Sequence, residues 1–363
     1  MFHEIDFACD LSVVAWKSYQ SGNAETAKAL YERALRIFER AQTLPESASV
    51  LIRLGLVLEQ NHEYGEAAGC YGRACEMLDS AEKDERTHTL KVRSLYHLGR
   101  IRRIQRSYHE AELLLNSAVD YAEEKLNRRD IEYAYALNQL AMLLRCMMQL
   151  EQARVLYYRA LRILEIKLGS ENPEVASIYR NLSELEYADG RYNKAEPFAR
   201  RAILIRMKAY GPEHPDLAQD LSTLGCILKA QGKFNEAEKL YTRALLMTRH
   251  KYGEDHYETA SYLTNLASLH QVRGENGEAE WLFWQALTIK EKALGQNHID
   301  CALTMIDLTN LYKNQGRYDE AELLCNRACS TLEKIVEPEH PYLIKCRQTC
   351  KELSELLDVV AVT

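Results

Sequence analysis

The chain has 363 residues, of which 47% are hydrophobic and 27% are charged, and its formal net charge is −7 at pH 7. Because it contains only 16 glycines and 7 prolines, this composition favours a well-packed helical protein over a disordered or strand-rich one. The negative charge argues against general nucleic-acid binding, and no apolar run approaches the roughly 20 residues that a membrane-spanning helix requires.

The N-terminal residues and the cysteines both bear on where the protein works. The start of the chain, MFHEIDFACD, lacks the basic and apolar segments of a signal peptide. The ten cysteines are scattered through predicted helices, which favours buried thiols in a reducing compartment over a disulfide framework. We therefore expect a cytoplasmic protein without membrane insertion, nucleic-acid partner or cofactor.

An alanine-centred helix motif recurs along the whole chain. From the third unit onward the motif alanines follow one another at one constant interval, and a second alanine comes seven residues after each, on the same helix face. Small residues there let a neighbouring helix approach closely. The first two units are less regular. The units centre on Ala27, Ala67, Ala111, Ala153, Ala195, Ala237, Ala279 and Ala321.

Glycines punctuate each unit at two fixed places. Gly190 and its equivalents at 232, 274 and 316 separate a first helix from a second, and Gly169 and its equivalents at 211, 253 and 295 follow the second helix. A left-handed residue is expected just past that helix end, and Asn127 takes this place one unit earlier. Pro197 is expected within the first turn of its helix, where proline does not break it.

Both helices of a unit carry apolar residues three and four positions apart, so each must bury its stripe against a neighbour. Stacked helix pairs of this kind form an α-solenoid with a long concave face. We predict an all-α, right-handed α-solenoid of about eight helix pairs over residues 1–358. A capping helix is expected at about 341–358, followed by a short tail at 359–363.

These units resemble the tetratricopeptide repeat, with its Gly-x-Tyr turn in GRYNKA and GRYDEA. The repeat length and the segments LGSENPEVASIYRNLSEL, YGPEHPDLAQDLSTLG and YGEDHYETASYLTNLASL are similar to those of the kinesin light chain subfamily. That family's N-terminal heptad segment has no counterpart before Ala27. The resemblance implies a groove, lined by the first helices, that binds a protein or peptide.

The helix register places a set of polar residues beside the packing stripe of the first helices. The residues predicted to contact a peptide are Arg93, His97, Arg100, Arg103, Asn138, Arg145, Arg180, Asn181, Thr223, Lys229, Asn265 and Asn310. With Arg53 and Lys313, this face holds eight basic residues against three acidic ones, Glu59, Glu184 and Asp307. The light-chain paired-asparagine motif fits Asn138, Asn181 and Asn265 and fails at Thr223 and Asp307.

Asparagine amides both donate and accept hydrogen bonds, so they can hold an extended peptide backbone, and arginine matches a carboxylate with its planar fork. We predict a noncatalytic adaptor that binds an acidic segment of a partner. Two other interpretations of the arginines stay open, a solvated helix face and contacts to a neighbouring loop. A regulatory sensor that changes pitch on binding a peptide is the alternative function, and self-association is also open.

No catalytic motif is present, since the chain lacks a Gly-rich phosphate loop, a His-Glu-x-x-His helix and a Gly-x-Ser-x-Gly elbow. The histidines of the PEHP loops are expected to cap the following helix, and tyrosines of the repeat frame to lie in the core. Cys325, Cys329, Cys346 and Cys350 can meet across a helix contact. We interpret them as buried core cysteines, because structural zinc sites usually use closer spacing. Zinc binding is the alternative.

Overall fold

The computed structural model describes residues 2–336, 338 and 340–362, without the side chains of Phe2 and of 358–362. The chain forms two compact units, which meet in sequence at Asp189 and Gly190 and are described separately. Every regular element of the described residues is an α-helix. The first unit contains α1 Phe2–Gln20, α2 Ala24–Arg40, α3 Leu44–Gln60, α4 Tyr64–Ser80, α5 Glu85–Ile104, α6 Tyr108–Lys125, α7 Ile131–Cys146, α8 Leu150–Leu168 and α9 Pro173–Ala188.

The second unit repeats the same alternation of first and second helices. It contains α10 Tyr192–Tyr210, α11 Leu217–Ala230, α12 Phe234–Tyr252, α13 Tyr257–Arg273, α14 Asn276–Leu294, α15 Ile299–Asn314, α16 Tyr318–Glu333 and α17 Pro341–Val362. These helices confirm the all-α class and the eight helix pairs followed by a last helix. The expectation of one continuous array over residues 1–358 stays a prediction.

Within each unit every helix packs against its chain neighbours, and the odd-numbered first helices also contact one another. In the first unit α3, α5, α7 and α9 make this series, and in the second unit α11, α13 and α15 do. Successive first helices therefore lie side by side and form a common face in each unit. We call this surface the first-helix face of that unit.

Alanines and tyrosines of the repeat frame form the core, as predicted. Ala27, Ala67 and the six equivalents down to Ala321 are completely buried, and so is the alanine seven residues after each. Tyr31, Tyr71, Tyr157 and Tyr241 are also completely buried. The small side chains allow the close helix approach that the repeat spacing indicated.

The turn between first and second helix needs a residue with positive φ in every unit. Glycine takes it at Gly22 and, in the second compact unit, at Gly190, Gly232, Gly274 and Gly316. His62, Arg106 and Met148 adopt the same left-handed conformation with φ between 60° and 64°. This conformation costs a residue with a Cβ about 1 kcal/mol. The first compact unit therefore tolerates backbone strain that the second compact unit avoids.

The glycines after the second helices differ in detail from the prediction. Gly169 has φ 88° and ψ 149°, which lies outside the left-handed helical region and is accessible essentially to glycine alone. Asn127 does not share the positive φ, so that prediction was wrong. Its side chain instead accepts a hydrogen bond from the Arg129 amide at 2.9 Å, which closes the loop before α7 without a left-handed residue.

Histidines cap the helices that follow the loops, as predicted. In the PEHP loops, Nδ1 of His214 and of His340 accepts a hydrogen bond from the backbone amide two residues on, each at 3.3 Å. His256 and His298 make the same contact at 3.2 Å. The imidazole therefore takes the place of an aspartate or asparagine cap at α13 and α15, and His340 makes the same contact directly before α17. His214 instead bonds to the amide of Asp216, the N-cap residue of α11.

Two helices differ from the sequence prediction. Pro197 lies in the second turn of α10, not the first, and the helix continues through it. Helix α17 extends to Val362, so residues expected in a tail have helical backbone, while Thr363 lies outside the described residues.

The C-terminal cysteines differ from the expected set of free thiols. Cys325 and Cys350 form a disulfide, with their Cα atoms 5.7 Å apart, while Cys329 and Cys346 are free and buried. The pairing follows from the packing of α16 against α17, which places these side chains face to face. Among the described residues, no helix is both long and apolar enough to cross a membrane.

Candidate peptide-binding face

Polar residues of one first helix meet the next first helix at a regular offset. Arg93 pairs with Glu132, which lies 39 residues later in the chain. Arg145 pairs with Glu184 at the same sequence offset, at a distance of 2.9 Å. Because this offset is about one helical turn shorter than the repeat, each contact reaches one turn back along the next first helix. We call these contacts cross-helix pairs.

The second unit repeats the offset with different partners. Lys229 donates to the Ser268 hydroxyl at 2.8 Å, and Lys313 donates to Glu352 at 2.6 Å, each 39 residues apart in sequence. The geometry of the first helices therefore brings the same two positions together in both units, and the residues at those positions decide whether an ion pair forms.

Glu132 anchors its pair at the first turn of α7. Its side chain is only 8% exposed, and it accepts hydrogen bonds from Arg93 and, at 2.9 Å, from the Tyr96 hydroxyl. Burial disfavours the charge of Arg93, but the hydrogen bond with Glu132 and the negative charge of Glu132, together with smaller effects of Tyr96, outweigh it and raise the pKa of Arg93. Arg93 is therefore a neutralised cation.

Arg100 is neutralised in the same way, from the preceding helix. It pairs with Glu59 on α3, which also accepts a hydrogen bond from the Tyr71 hydroxyl at 2.5 Å. In this pair the acid lies on the earlier first helix and the base on the later one, the reverse of the Arg93–Glu132 pair. Both oxygens of Glu59 are thus used inside the unit.

His97 does not line an open surface, so its predicted position was wrong. Its ring is 8% exposed and lies parallel to the Tyr71 ring, with centroids 5.0 Å apart. Burial, and then the charges of Arg100 and Arg93, hold its pKa well below the usual value. His97 is a neutral part of the packing between α4 and α5, which the register could not show.

Three arginines of α5, α7 and α9 lie around one carboxylate and one phenol. Glu184 lies 2.9 Å from Arg145 and 3.7 Å from the Nε atom of Arg180. Arg103 and Arg145 both lie near the Tyr157 hydroxyl, whose pKa is raised by burial against the opposing effect of these two cations. This group of side chains therefore has more positive than negative charge.

Arg103 occupies in α5 the position that Arg145 occupies in α7, one repeat later. Its cross-helix partner position holds Met142 instead of an acid. No ion pair involves Arg103 among the described residues, and its buried Nε atom has no hydrogen-bond partner there. On α7, one turn before Met142, the Asn138 amide nitrogen has only the Met142 sulfur as an acceptor, at 4.0 Å.

The asparagines have a structural role that the sequence reasoning missed. Asn181 is 3% exposed and donates its side-chain amide to the Asn138 oxygen at 2.8 Å, which joins α7 to α9. In the second unit Asn265 donates to the Ser222 hydroxyl at 2.8 Å and joins α11 to α13. The amide groups of Asn181 and Asn265 therefore hold neighbouring first helices together, whereas the amide nitrogen of Asn138 is directed toward Met142.

The remaining predicted residues lie on the second unit's first-helix face. Thr223 bonds to its own helix, donating to the Gln219 carbonyl at 3.0 Å, and Asn310 is partly exposed on α15. Asp307, on the same helix, is the unusual acid: burial raises its pKa to about 6, against the opposing charges of Lys290, Lys229 and Lys345. This face therefore carries a carboxyl group that titrates near neutrality.

The sequence count of charges overlooked Glu132 and Glu352, which raises the acidic residues on these faces from three to five. The constant offset between base and acid was visible in the sequence and is the signal that identifies them. Ion pairs therefore neutralise Arg93, Arg100, Arg145 and Lys313, whereas Arg103 has no such pair among the described residues.

The tetratricopeptide repeat family matches residues 18–80, 132–203, 174–250, 227–292 and 258–334. The chain belongs to this family. The membership predicted from the Gly-x-Tyr turns and the alanine spacing is thereby confirmed, and such repeats are protein-interaction modules. No curated protein matches the chain.

Several solved structures share the fold. A Rap conjugation gene regulator of the plasmid pLS20, in complex with the Phr* peptide, is 16% identical, with a TM-score of 0.63 over 93% of this chain and 98% of that one. A Rap protein complexed with competence and sporulation factor is 19% identical, with a TM-score of 0.62 over 87% of each chain. Nearly identical TPR-like repeats of a putative kinesin light chain from Podosopora anserina are 22% identical, with a TM-score of 0.47 over 57% of this chain and 98% of that one.

Proposed function

We propose that this repeat protein is a noncatalytic adaptor that holds an extended acidic segment of a partner on the first-helix face of its first unit. One observation carries the proposal. Arg103 is the cation whose cross-helix position holds Met142, while its equivalent Arg145 has Glu184. A carboxylate of the partner would supply the missing acid. The Asn138 amide, which has only a weak sulfur contact, would donate to the same ligand.

The proposed anchor agrees with the chemistry of both groups. A guanidinium binds a carboxylate through parallel N–H donors, and such charge-assisted bonds are about twice as strong as neutral ones. The ion-paired residues Arg93, Arg100 and Arg145 frame this anchor without adding free charge. Arg180 on α9 extends the proposed contact surface within the first unit, and Asn181 supports it through its hydrogen bond to Asn138. Thr223, Lys229, Asn265 and Asn310 stay predicted contacts on the first-helix face of the second unit. The cytoplasmic location remains part of this proposal.

The test places a carboxylate at position 142 of the chain itself and asks whether it competes with an acidic peptide. A displayed library of random peptides is selected on the wild-type protein, and affinities of the enriched peptides are measured by calorimetry at low and moderate salt. We expect enrichment of aspartate and glutamate, and a loss of about tenfold in affinity for Met142→Glu, since a bond to a charged group contributes about 1.5–3 kcal/mol. Met142→Gln, which has similar size and no charge, is the matched control.

A second control lies away from this face. Arg73 on α4 pairs with Glu39 at 2.6 Å, so Arg73→Gln changes the net charge equally without touching the anchor and should leave affinity unchanged. If Met142→Glu and Met142→Gln behave alike, or if the enriched peptides are not acidic, the anchor is wrong. Binding that weakens with added salt supports the ionic contact.

A peptide sensor is the second candidate. The observation that favours it is that two proteins sharing the fold were solved with a bound peptide or signalling factor. Small-angle scattering of the wild-type chain with and without a selected peptide separates the two functions. A decrease in the radius of gyration favours the sensor, and an unchanged value favours the adaptor.

A further inference from the structure

The four C-terminal cysteines converge on one point between two helices. Cys325 and Cys329 are one turn apart on α16, and Cys346 and Cys350 are one turn apart on α17. All four sulfur atoms lie within 4.8 Å of one another. They form a single cluster between α16 and α17. The cluster belongs neither to the first-helix face of the first unit nor to the anchor proposed above.

The spacing of the sulfurs fits a tetrahedral metal site. Zinc–sulfur bonds of about 2.3 Å in a tetrahedron require sulfur–sulfur distances of about 3.8 Å. The Cys325 and Cys346 sulfurs are 3.9 Å apart, and those of Cys329 and Cys350 are 3.6 Å apart. These two distances match the edges of such a tetrahedron, and the Cys325–Cys350 edge reaches the same length only after the disulfide is reduced.

The surroundings fit a closed structural site. Cys325, Cys329 and Cys346 are 1%, 9% and 2% exposed, and Cys350 is partly buried. Apolar packing by itself does not require four sulfurs to meet, whereas structural zinc sites are closed, with four protein ligands. Two ligands at positions i and i+4 of a helix share one face, as in metalloprotease helices, so the spacing that argued against zinc is compatible with it.

We propose that the reduced chain binds one Zn²⁺ through the thiolates of Cys325, Cys329, Cys346 and Cys350. Four thiols release four protons as four Zn–S bonds form, and no electron is transferred. The disulfide between Cys325 and Cys350 excludes this state, because it withdraws two of the ligands. The metal would join α17 to α16 and thereby fix the last helix of the second unit.

Cobalt(II) is the probe, because its visible spectrum reports tetrahedral thiolate coordination. The full chain is reduced with an excess of a phosphine, freed of metal with a chelator, and titrated with cobalt under anaerobic conditions. We expect an intense ligand-field and charge-transfer spectrum that saturates at one cobalt per chain and disappears when one equivalent of zinc is added. The zinc-loaded protein should show four sulfur neighbours at about 2.3 Å by X-ray absorption.

Variants locate the metal. Cys329→Ser and Cys346→Ser leave the disulfide pair intact and should each remove the tetrahedral spectrum. Cys301→Ser removes a fully buried thiol on α15, outside the cluster, and should retain it. Because a serine variant can unfold, Cys346→His is included: it keeps four ligands and should shift the spectrum toward three sulfurs and one nitrogen.

The outcomes are distinct. If all ten cysteines of the reduced wild-type chain titrate as thiols and no tetrahedral cobalt spectrum appears, the proposal is wrong. It is equally wrong if Cys301→Ser abolishes the spectrum or if the serine variants in the cluster retain it. If the Cys325–Cys350 disulfide persists in excess phosphine and no metal is bound, the proposal is also overturned.

Discussion

The two compact units repeat one helix-pair frame but fill its first-helix face with different chemistry. In the first unit a guanidinium and a carboxylate form the cross-helix pair, as Arg145 and Glu184 do. In the second unit lysine takes the equivalent position: Lys229 donates to the Ser268 hydroxyl and Lys313 donates to Glu352. The buried alanines are the same in both. The frame therefore depends on small packing residues and turns, whereas the residues at the cross-helix positions vary between the units.

The largest expected difference between the units concerns a fully buried ion pair. In the second unit Arg206 donates to both carboxylate oxygens of Asp220, and their side chains are 8% and 0% exposed. Removing one member of such a pair costs about 3–5 kcal/mol, because the other charge stays buried. We expect this loss for Asp220→Asn in urea unfolding, with faster hydrogen exchange in α10 and α11.

The matched change in the first unit is Glu132→Gln. Its partner Arg93 has a side chain that is 39% exposed, so water can solvate the charge that is left. A cost of about 1 kcal/mol is expected, well below that of Asp220→Asn. Equal costs would show that burial of the pair does not distinguish the units.

A second change should affect both units alike. A Cβ atom on Gly225 would lie 2.5 Å from the buried Tyr241 ring, and one on Gly55 would lie 2.6 Å from Tyr71. Overpacking of this kind costs about 1–3 kcal/mol, and the better helix propensity of alanine offsets part of it. We expect about 2 kcal/mol of destabilisation for Gly225→Ala and for Gly55→Ala by thermal or urea unfolding.

The control for that pair is a helical glycine with open space around it. Nothing lies within 4 Å of a Cβ placed on Gly65 in α4. Gly65→Ala should therefore leave the stability unchanged or raise it by up to about 1 kcal/mol. A loss there comparable to Gly225→Ala would remove the tyrosine contact as the explanation.

Asp307 gives the second unit a pH dependence that can be removed. Burial raises its pKa to about 6, above the ordinary range of an aspartate, so the folded chain binds a proton that the unfolded chain has lost. The cost of ionising it is fully present above about pH 6 and disappears below about pH 4. Because the side chain is partly exposed, we expect Asp307→Asn to stabilise the unit by about 1 kcal/mol at about pH 7.5.

The measurement is the stability difference between Asp307→Asn and wild type from acidic to slightly alkaline pH. The charged groups that face Asp307 are Lys290, Lys229 and Lys345. Asn310→Ala, on the same helix, should show no such pH dependence. A difference that grew as the pH fell would have the wrong sign for a raised pKa.

The smallest expected effect exchanges the turn residues of the two units. Met148 has φ 60°, and the equivalent residue in the second unit is Gly232, with φ 77°. Gly232→Met should cost about 1 kcal/mol, and Met148→Gly should gain about 0.5 kcal/mol, since release of strain exceeds the added entropy of the unfolded chain. The midpoints of urea unfolding measure both, and opposite signs are the expected result.

Much of the frame could be predicted because it repeats. The spacing of Ala195, Ala237 and Ala279 fixed the helix phase, and Gly232 and Gly274 marked the turns between helices. The individual site residues were less predictable. His97 and Asn181 have polar side chains at first-helix positions that the register takes as open, yet the close approach of Tyr71 and of α7 buries them.

The sequence by itself determined the helix pairs, their family and their core alanines, because a repeated local pattern acts within a few residues and recurs in every unit. Only the tertiary structure decided which charges are neutralised, since Arg93 meets Glu132 through the packing of two helices and not through the chain between them. The packing of α17 against α16 likewise brought their four cysteine sulfurs together. Local physics sets the frame, and the contacts between helices set the chemistry on its surface.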